Sequence, residues 1–146
     1  NEYWNKFLRE KKLPDSTPFG GEITFSNDEK DFAFLLALIL GGKKTAQFSA
    51  LPGYEIDFEP LPQKGYYYVL NDWQGNPVAV TKTTNVKVLP FEEVTWEMAQ
   101  KDGEEENLQA WRERYSEFFQ EDSDIMGYEF SPSMPVVFEE FEVIFK

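Results

Sequence analysis

"YYYVLNDWQGNPVAVTKTTNVKVLP", residues 66–90, holds two β-rich runs on either side of a short polar turn. "YYYVLND" and "PVAVTKTT" are dense in β-branched and aromatic residues, and "WQGN" between them places Gly75 and Asn76 at the tip of a hairpin. "NVKVLP" continues as a further strand, and "PFEEVTWEMAQKDG" gives a turn and a short helix starting near Thr95.

Upstream of the hairpin, Glu2 to Glu10 sets Tyr3, Trp4, Phe7 and Leu8 on one helical face and ends at the Pro-, Gly- and Ser-rich connector "KLPDSTPFGG". A second helix opens at "SNDE", where Ser26 and Glu29 have capping-box spacing. From Phe32 to Leu40 this helix is apolar on nearly every side, which predicts a central, buried element. Gly41 and Gly42 stop it, since glycine reaches the left-handed backbone of a C-terminal cap without steric cost. "KKTAQFSA" then predicts a short strand, and "LPGYEIDFEPLPQKG", with three prolines, a long loop of the kind that often belongs to a binding site.

Downstream, Leu108, Trp111, Tyr115, Phe118 and Phe119 form a stripe that predicts a helix over about 105–121. "PVVFEEFEVIFK" alternates Phe141, Val143 and Phe145 with Glu140 and Glu142, as a half-exposed strand does. About five strands in non-repeating order among three or four helices argue α+β with a mixed or barrel-like sheet. No internal repeat or low-complexity tract is present.

At 146 residues the chain fits one domain with a core that needs no disulfide or metal. No stretch reaches the ~20 apolar residues of a membrane span and the amino terminus is not signal-like, so a soluble cytoplasmic protein is expected. Cysteine and histidine are both absent, which removes disulfides, thiolate nucleophiles, the usual general base and the commonest zinc ligand. A Ser-His-Asp triad is impossible. Any chemistry must run on Lys, Asp, Glu, Thr, Ser or Tyr.

The net charge of −13 argues against tight, non-specific binding to a long polyanion. Its distribution is uneven, because residues 41–90 hold five basic and four acidic residues while the flanks hold nine and 23. That middle is compatible with a small or single-nucleotide ligand. Aromatic residues make up 17% of the chain, and most are expected in the core.

Lys43 and Lys44 follow a helix C-terminus, where the macrodipole favours cations by roughly 0.3–1 kcal/mol. That alone explains them structurally. A functional role as a base needs one ammonium to be partly buried beside another cation, which lowers its pKa. Thr45 and Gln47 share one face of the predicted strand, with Lys44 on the other unless the backbone bulges. Asp102, Glu104, Glu105 and Glu106 in "KDGEEEN" precede a helix, where acids suit the dipole. Clustered carboxylates also raise one another's pKa into the range of a general acid. No EF-hand pattern accompanies them, and no metal or cofactor is expected. Trp73 at the hairpin tip and Tyr54 in the proline-rich loop are candidates for stacking on a base, although such rings more often pack down onto their own domain.

In order along the chain, "GGKKTAQ" after a capped helix, "PLPQKGYYYVL", "GNPVAVTKTTNVKVLPFEEVT", "KDGEEENLQAWRERYSEFF" and "MPVVFEEFEVIFK" resemble the bacterial stand-alone ASCH domains of the PUA-like superfamily. The resemblance implies a small PUA-like mixed β-barrel of five to six strands with flanking helices. It covers residues 19–146 as one compact ASCH domain, with the helix and connector of 1–18 packed on it. It also implies RNA-related work, either binding of RNA or a modified nucleoside, hydrolysis of N4-acetylcytidine, or ribonuclease action; a non-catalytic RNA- or protein-binding module is the alternative. In the amidohydrolase members the implied triad is a lysine of this motif, a threonine three residues later and a glutamate in the acid-rich segment. The lysine matches Lys44; Gln47 occupies the threonine position and Asp102 stands nearest the glutamate. Gln47 has no nucleophilic hydroxyl, so Thr45 or a water would take that part. Lys43, Gln47, Tyr54, Glu104 and Trp73 are the expected ligand contacts, around catalytic Lys44, Thr45 and Asp102. The expected partner is a nucleoside or RNA, with no membrane; oligomeric state is not readable from the residues.

Overall fold

The computed structural model describes residues 1–24 and 28–146. Ser26 of the expected capping box lies outside the described residues. The helices are α1 (Glu2–Lys11), α2 (Glu29–Leu40), α3 (Leu51–Ile56), α4 (Trp96–Ala99) and α5 (Leu108–Met126). The strands are β1 (Phe19–Ile23), β2 (Ala46–Ala50), β3 (Tyr67–Asn71), β4 (Pro77–Pro90) and β5 (Pro135–Phe145). They form one sheet in the order β1-β3-β4-β5-β2. No described helix is both long and apolar enough to cross a membrane.

The chain is α+β as expected, but the sheet is not closed into a barrel. β1 and β2 end the strand order without pairing with each other. β1 is poorly suited to closure: it has five residues, contains Gly20 and Gly21, and breaks register between Phe19 and Gly21. Such an irregular edge stops further pairing.

Contacts divide the chain into two compact units. The first comprises Asn1–Lys43, Pro62–Asn85 and Phe141–Lys146. In it the hairpin forms as the sequence predicts: β3 and β4 pair antiparallel around Gly75 (φ 85), and β1 runs parallel to β3. "NVKVLP" is the continuation of β4, so the two predicted strands are one of 14 residues. The Asn1 side chain caps α1 by accepting from the backbone N–H groups of Tyr3 and Trp4, and Trp4, Phe7 and Leu8 pack on Val69 and Val80.

α2 is not the fully buried helix its composition predicts. Phe32, Leu35 and Ile39 form a single buried stripe, whereas Phe34 is 53% exposed. Asp28 caps it by accepting from the Asp31 N–H. At its other end Gly42 (φ 79) is the left-handed residue, while Gly41 stays right-handed.

The second unit comprises Lys44–Leu61 and Val86–Glu140. β2 and β5 pair antiparallel with Phe48 opposite Phe138 and Gln47 opposite Glu139. Ala46, Phe48 and Ala50 point into a core with Phe91, Trp111, Tyr115 and Phe119. Full burial of each large ring contributes ~1.5–3 kcal/mol. The proline-rich stretch does not begin as a loop: α3 forms over its first residues, with Pro52 in the first turn, where its missing N–H costs nothing. α5 starts three residues later than the stripe implies, because the Asn107 side chain accepts from the Ala110 N–H. It runs on to Met126, where Gly127 (φ 92) ends it. Phe118 is exposed, since the buried stripe of this helix is Trp111, Tyr115 and Phe119.

Candidate functional site

Three short segments of the second unit meet around Asp102. Lys44 lies two residues before β2. Asp102 closes the helical turn Gln100–Asp102, and Gly103 then takes a left-handed backbone (φ 76) that lets Glu104 follow directly. Arg114 and Tyr115 come from the second turn of α5. The backbone N–H of Thr45 donates to the Lys101 carbonyl at 2.8 Å, which ties the Lys44 segment to the Asp102 turn.

The Lys44 ammonium donates to Asp102 Oδ1 at 2.5 Å and to Glu104 Oε2 at 3.3 Å. Arg114 Nη2 donates to Asp102 Oδ2 at 2.5 Å and to Glu104 Oε2 at 3.4 Å. Its Nε stands 2.7 Å from Glu105 Oε1, an ion pair out of line for a hydrogen bond. The Tyr115 hydroxyl donates to Asp102 Oδ1 at 3.1 Å, and the Arg114 guanidinium lies 4.3 Å from the centre of the Tyr115 ring. Two cations thus face three carboxylates.

Burial grades across this group. Asp102 is 0% exposed and Lys44 4%, whereas the Arg114 side chain retains 34% and that of Glu104 12%. The group is sealed at Asp102 and opens to solvent at Glu104, Glu105 and Arg114. Both Asp102 oxygens are engaged, so this residue holds the others in place. Glu104 is different. Its burial, reinforced by the negative charge of Asp102 and opposed by Lys44 and Arg114, pushes its carboxyl up to about 7 from an ordinary 4.5. A carboxyl at that value exchanges a proton readily near neutral pH. The folded state binds this proton more tightly than the unfolded chain does. Its contribution to stability is therefore complete below pH 4.5 and is lost as the pH rises through about 7. Burial, with Asp102 next, raises Tyr115 well above 10.0, which keeps its hydroxyl protonated as a donor.

The expected site residues separate. Lys44, Asp102 and Glu104 come together. Thr45 is anchored through its backbone, and no hydrogen bond joins its hydroxyl to Lys44 among the described residues. Gln47 lies on the face of β2 that alternates away from the Phe48–Tyr115 core, where its amide donates to Glu139 Oε1 at 2.8 Å. Tyr54, from α3 rather than a loop, places its hydroxyl 2.8 Å from Ser49 Oγ. Burial raises its pKa; the Ser49 hydrogen bond opposes this, and the charges of Glu139 and Glu59 add to it. Lys43 and Trp73 belong to the first unit, Lys43 exposed after α2 and Trp73 edge-on to Phe32 with ring centres 5.8 Å apart.

Arg114, Tyr115 and Glu105 complete the group. Tyr115 is legible in the sequence only as a member of the core stripe. Arg114 carries one faint signal, a cation twelve residues after the first acid of the run. Among the described residues no set of three or more acidic side chains is arranged to hold a metal ion.

The fold and the sequence are both shared with known proteins. The high-resolution crystal structure of the ASCH domain from Lactobacillus crispatus JV V101 superposes with a TM-score of 0.85 at 28% identity, covering 100% of this chain and 96% of that one. Protein EF3133 from Enterococcus faecalis V583 gives 0.86 at 31% identity, over 98% of this chain and 86% of that one. Hypothetical protein PH0355 shares the fold alone, with a TM-score of 0.51 at 18% identity, over 85% of this chain and 98% of that one. No curated protein matches significantly in sequence. The ASCH domain family model matches residues 21–145. On that match over most of its length, the chain belongs to the ASCH domain family.

Proposed function

We propose that this ASCH domain binds a nucleoside, free or as part of an RNA, beside Glu104 and Arg114 and hydrolyses an acyl amide on its base. One observation supports this above all: a carboxyl held near neutral pKa lies against a buried ammonium, at the solvent-facing end of a fixed group of charges. Acyl transfer needs such parts, a group that takes and returns a proton and a cation where negative charge develops.

In this reaction ionised Glu104 takes a proton from water as the oxygen adds to the acyl carbon. Lys44 and Arg114 stabilise the oxyanion. The carbon–nitrogen bond then breaks, the exocyclic nitrogen leaves as an amine with the proton returned by Glu104, and the acyl group departs as the carboxylic acid. Lys44 acts as an electrostatic partner and not as a base, because its ammonium already donates to two carboxylates. Water replaces Thr45 as nucleophile, in keeping with the absence, among the described residues, of a hydrogen bond between the Thr45 hydroxyl and Lys44.

The complete engagement of Asp102 favours a second reading, in which the group is a structural clamp within a non-catalytic binding module. Chromatographic turnover of N4-acetylcytidine and its longer N4-acyl homologues at neutral pH decides between them. Cytidine and carboxylic acid appearing in equal amounts is the expected result. No product from any member of the series, with RNA still bound, makes the clamp the correct reading.

A further inference from the structure

α1 differs in charge from everything that follows it. Residues 1–12 hold Lys6, Arg9, Lys11 and Lys12 against Glu2 and Glu10, a net of +2, while residues 13–146 hold ten basic and 25 acidic residues, a net of −15. Trp4, Phe7 and Leu8 are buried in the first unit's core, which turns Asn5, Lys6, Arg9 and Lys12 to solvent. In a chain this rich in carboxylates, none of the four cations makes an ion pair among the described residues. The macrodipole accounts for Arg9 and Lys11 in the last turn. It does not account for Lys6, in the middle of the helix.

A second feature coincides with these charges. Tyr3, Asn5, Lys6 and Arg9, with Glu2 and Pro77, line an open groove of about 560 Å³. That volume lies within the range of small-ligand sites, ~300–1,000 Å³. The groove therefore joins two unpaired cations, one carboxylate, an amide and a tyrosine ring, a net positive lining in a space sized for one nucleotide.

We propose that the exposed face of α1 is a phosphate-binding surface that holds the backbone of a single-stranded RNA, with one nucleotide in the groove beside Tyr3. The assignment rests on RNA as the ligand class and not on the hydrolytic step, and α1 precedes the region matched by the family model. An anionic membrane is disfavoured as the partner because the apolar residues of α1 are buried in the unit, leaving no apolar face to enter a bilayer.

The test is fluorescence anisotropy with a labelled single-stranded RNA of about 12 nucleotides over a series of salt concentrations. It compares the intact chain with the Lys6→Gln/Arg9→Gln double variant. Both substituted positions on α1 are exposed, and an unchanged melting curve verifies that the double variant folds. Each lost phosphate contact on a single strand lowers the slope of log K against log salt by ~0.7, so the double variant should lose about 1.4 in slope and bind at least tenfold more weakly at about 50 mM salt. Equal affinity and slope in the double variant would overturn the assignment while leaving RNA as the ligand. No RNA binding by the intact chain would overturn both. Binding to phosphatidylserine vesicles or to polyglutamate as tight as to RNA would also overturn the assignment, in favour of a membrane or an acidic protein.

Discussion

Asp102→Ala should lower folding stability by about 3–5 kcal/mol, the usual loss when one member of a buried ion pair is removed. Asp102 is fully buried and accepts from Lys44, Arg114 and Tyr115. Without it the Lys44 ammonium, itself 4% exposed, keeps only Glu104 at 3.3 Å. Arg114 suffers less, since it is partly exposed and retains Glu104 and Glu105. For a chain of this length the loss corresponds to a fall in Tm of roughly 10 °C, at ~2–4 °C per kcal/mol. Lys44→Met in the same background should recover much of it, because the cost is that of an uncompensated charge and not of missing volume. A thermal melt of the two variants beside the intact chain checks both statements; a drop under about 1 kcal/mol for Asp102→Ala would show that water reaches Lys44.

Glu104→Gln should lower kcat for N4-acyl cytidines by about 10²–10⁴, the usual effect of removing a general acid or base. Glutamine keeps the shape and one acceptor but neither takes nor returns a proton. The pH dependence carries a defined sign. In the proposed reaction attack by water requires ionised Glu104, so the rate of the intact chain should fall about tenfold per pH unit below the residue's pKa of about 7 and level off above it. In the glutamine variant this limb should vanish. Lys44→Ala should reduce the rate by a similar factor through loss of oxyanion stabilisation, with the limb retained. A variant that kept both full rate and pH profile without Glu104 would assign proton transfer elsewhere.

The sequence carries the local decisions of this fold well. The hairpin at Gly75, the helix entered at Thr95 and the buried stripe through Trp111 and Tyr115 all follow from turn chemistry and periodicity. Non-local decisions are less visible. The apolar nine-residue run from Phe32 to Leu40 looks central, yet α2 buries only one stripe, because burial depends on what covers a helix and not on its composition. Whether the last strand closes on the first is likewise settled by edge pairing, and the bulged glycine-rich β1 leaves the sheet open.

The site shows the same division. Lys44 and the acid run stand out in sequence because charges flank glycines and helix ends. Their meeting, 58 residues apart, is a tertiary fact, as is the recruitment of Arg114 from a helix whose pattern reads only as core. Family spacing puts Gln47 at the threonine position and makes it an expected ligand contact near Lys44, but strand alternation turns Gln47 toward Glu139.

The proposed proton-carrying role of Glu104 can be tested without any substrate. In protein labelled with carboxyl ¹³C at glutamate, with the Glu104 resonance assigned by its absence from Glu104→Gln, a pH titration should place its midpoint near 7, far from the ordinary 4.5. That result would mean that the group around Asp102 holds a carboxyl poised for proton transfer at neutral pH. A midpoint at the ordinary value would mean that Glu104 is simply one more ionised partner of Lys44 and Arg114, and the hydrolytic site would have to lie elsewhere.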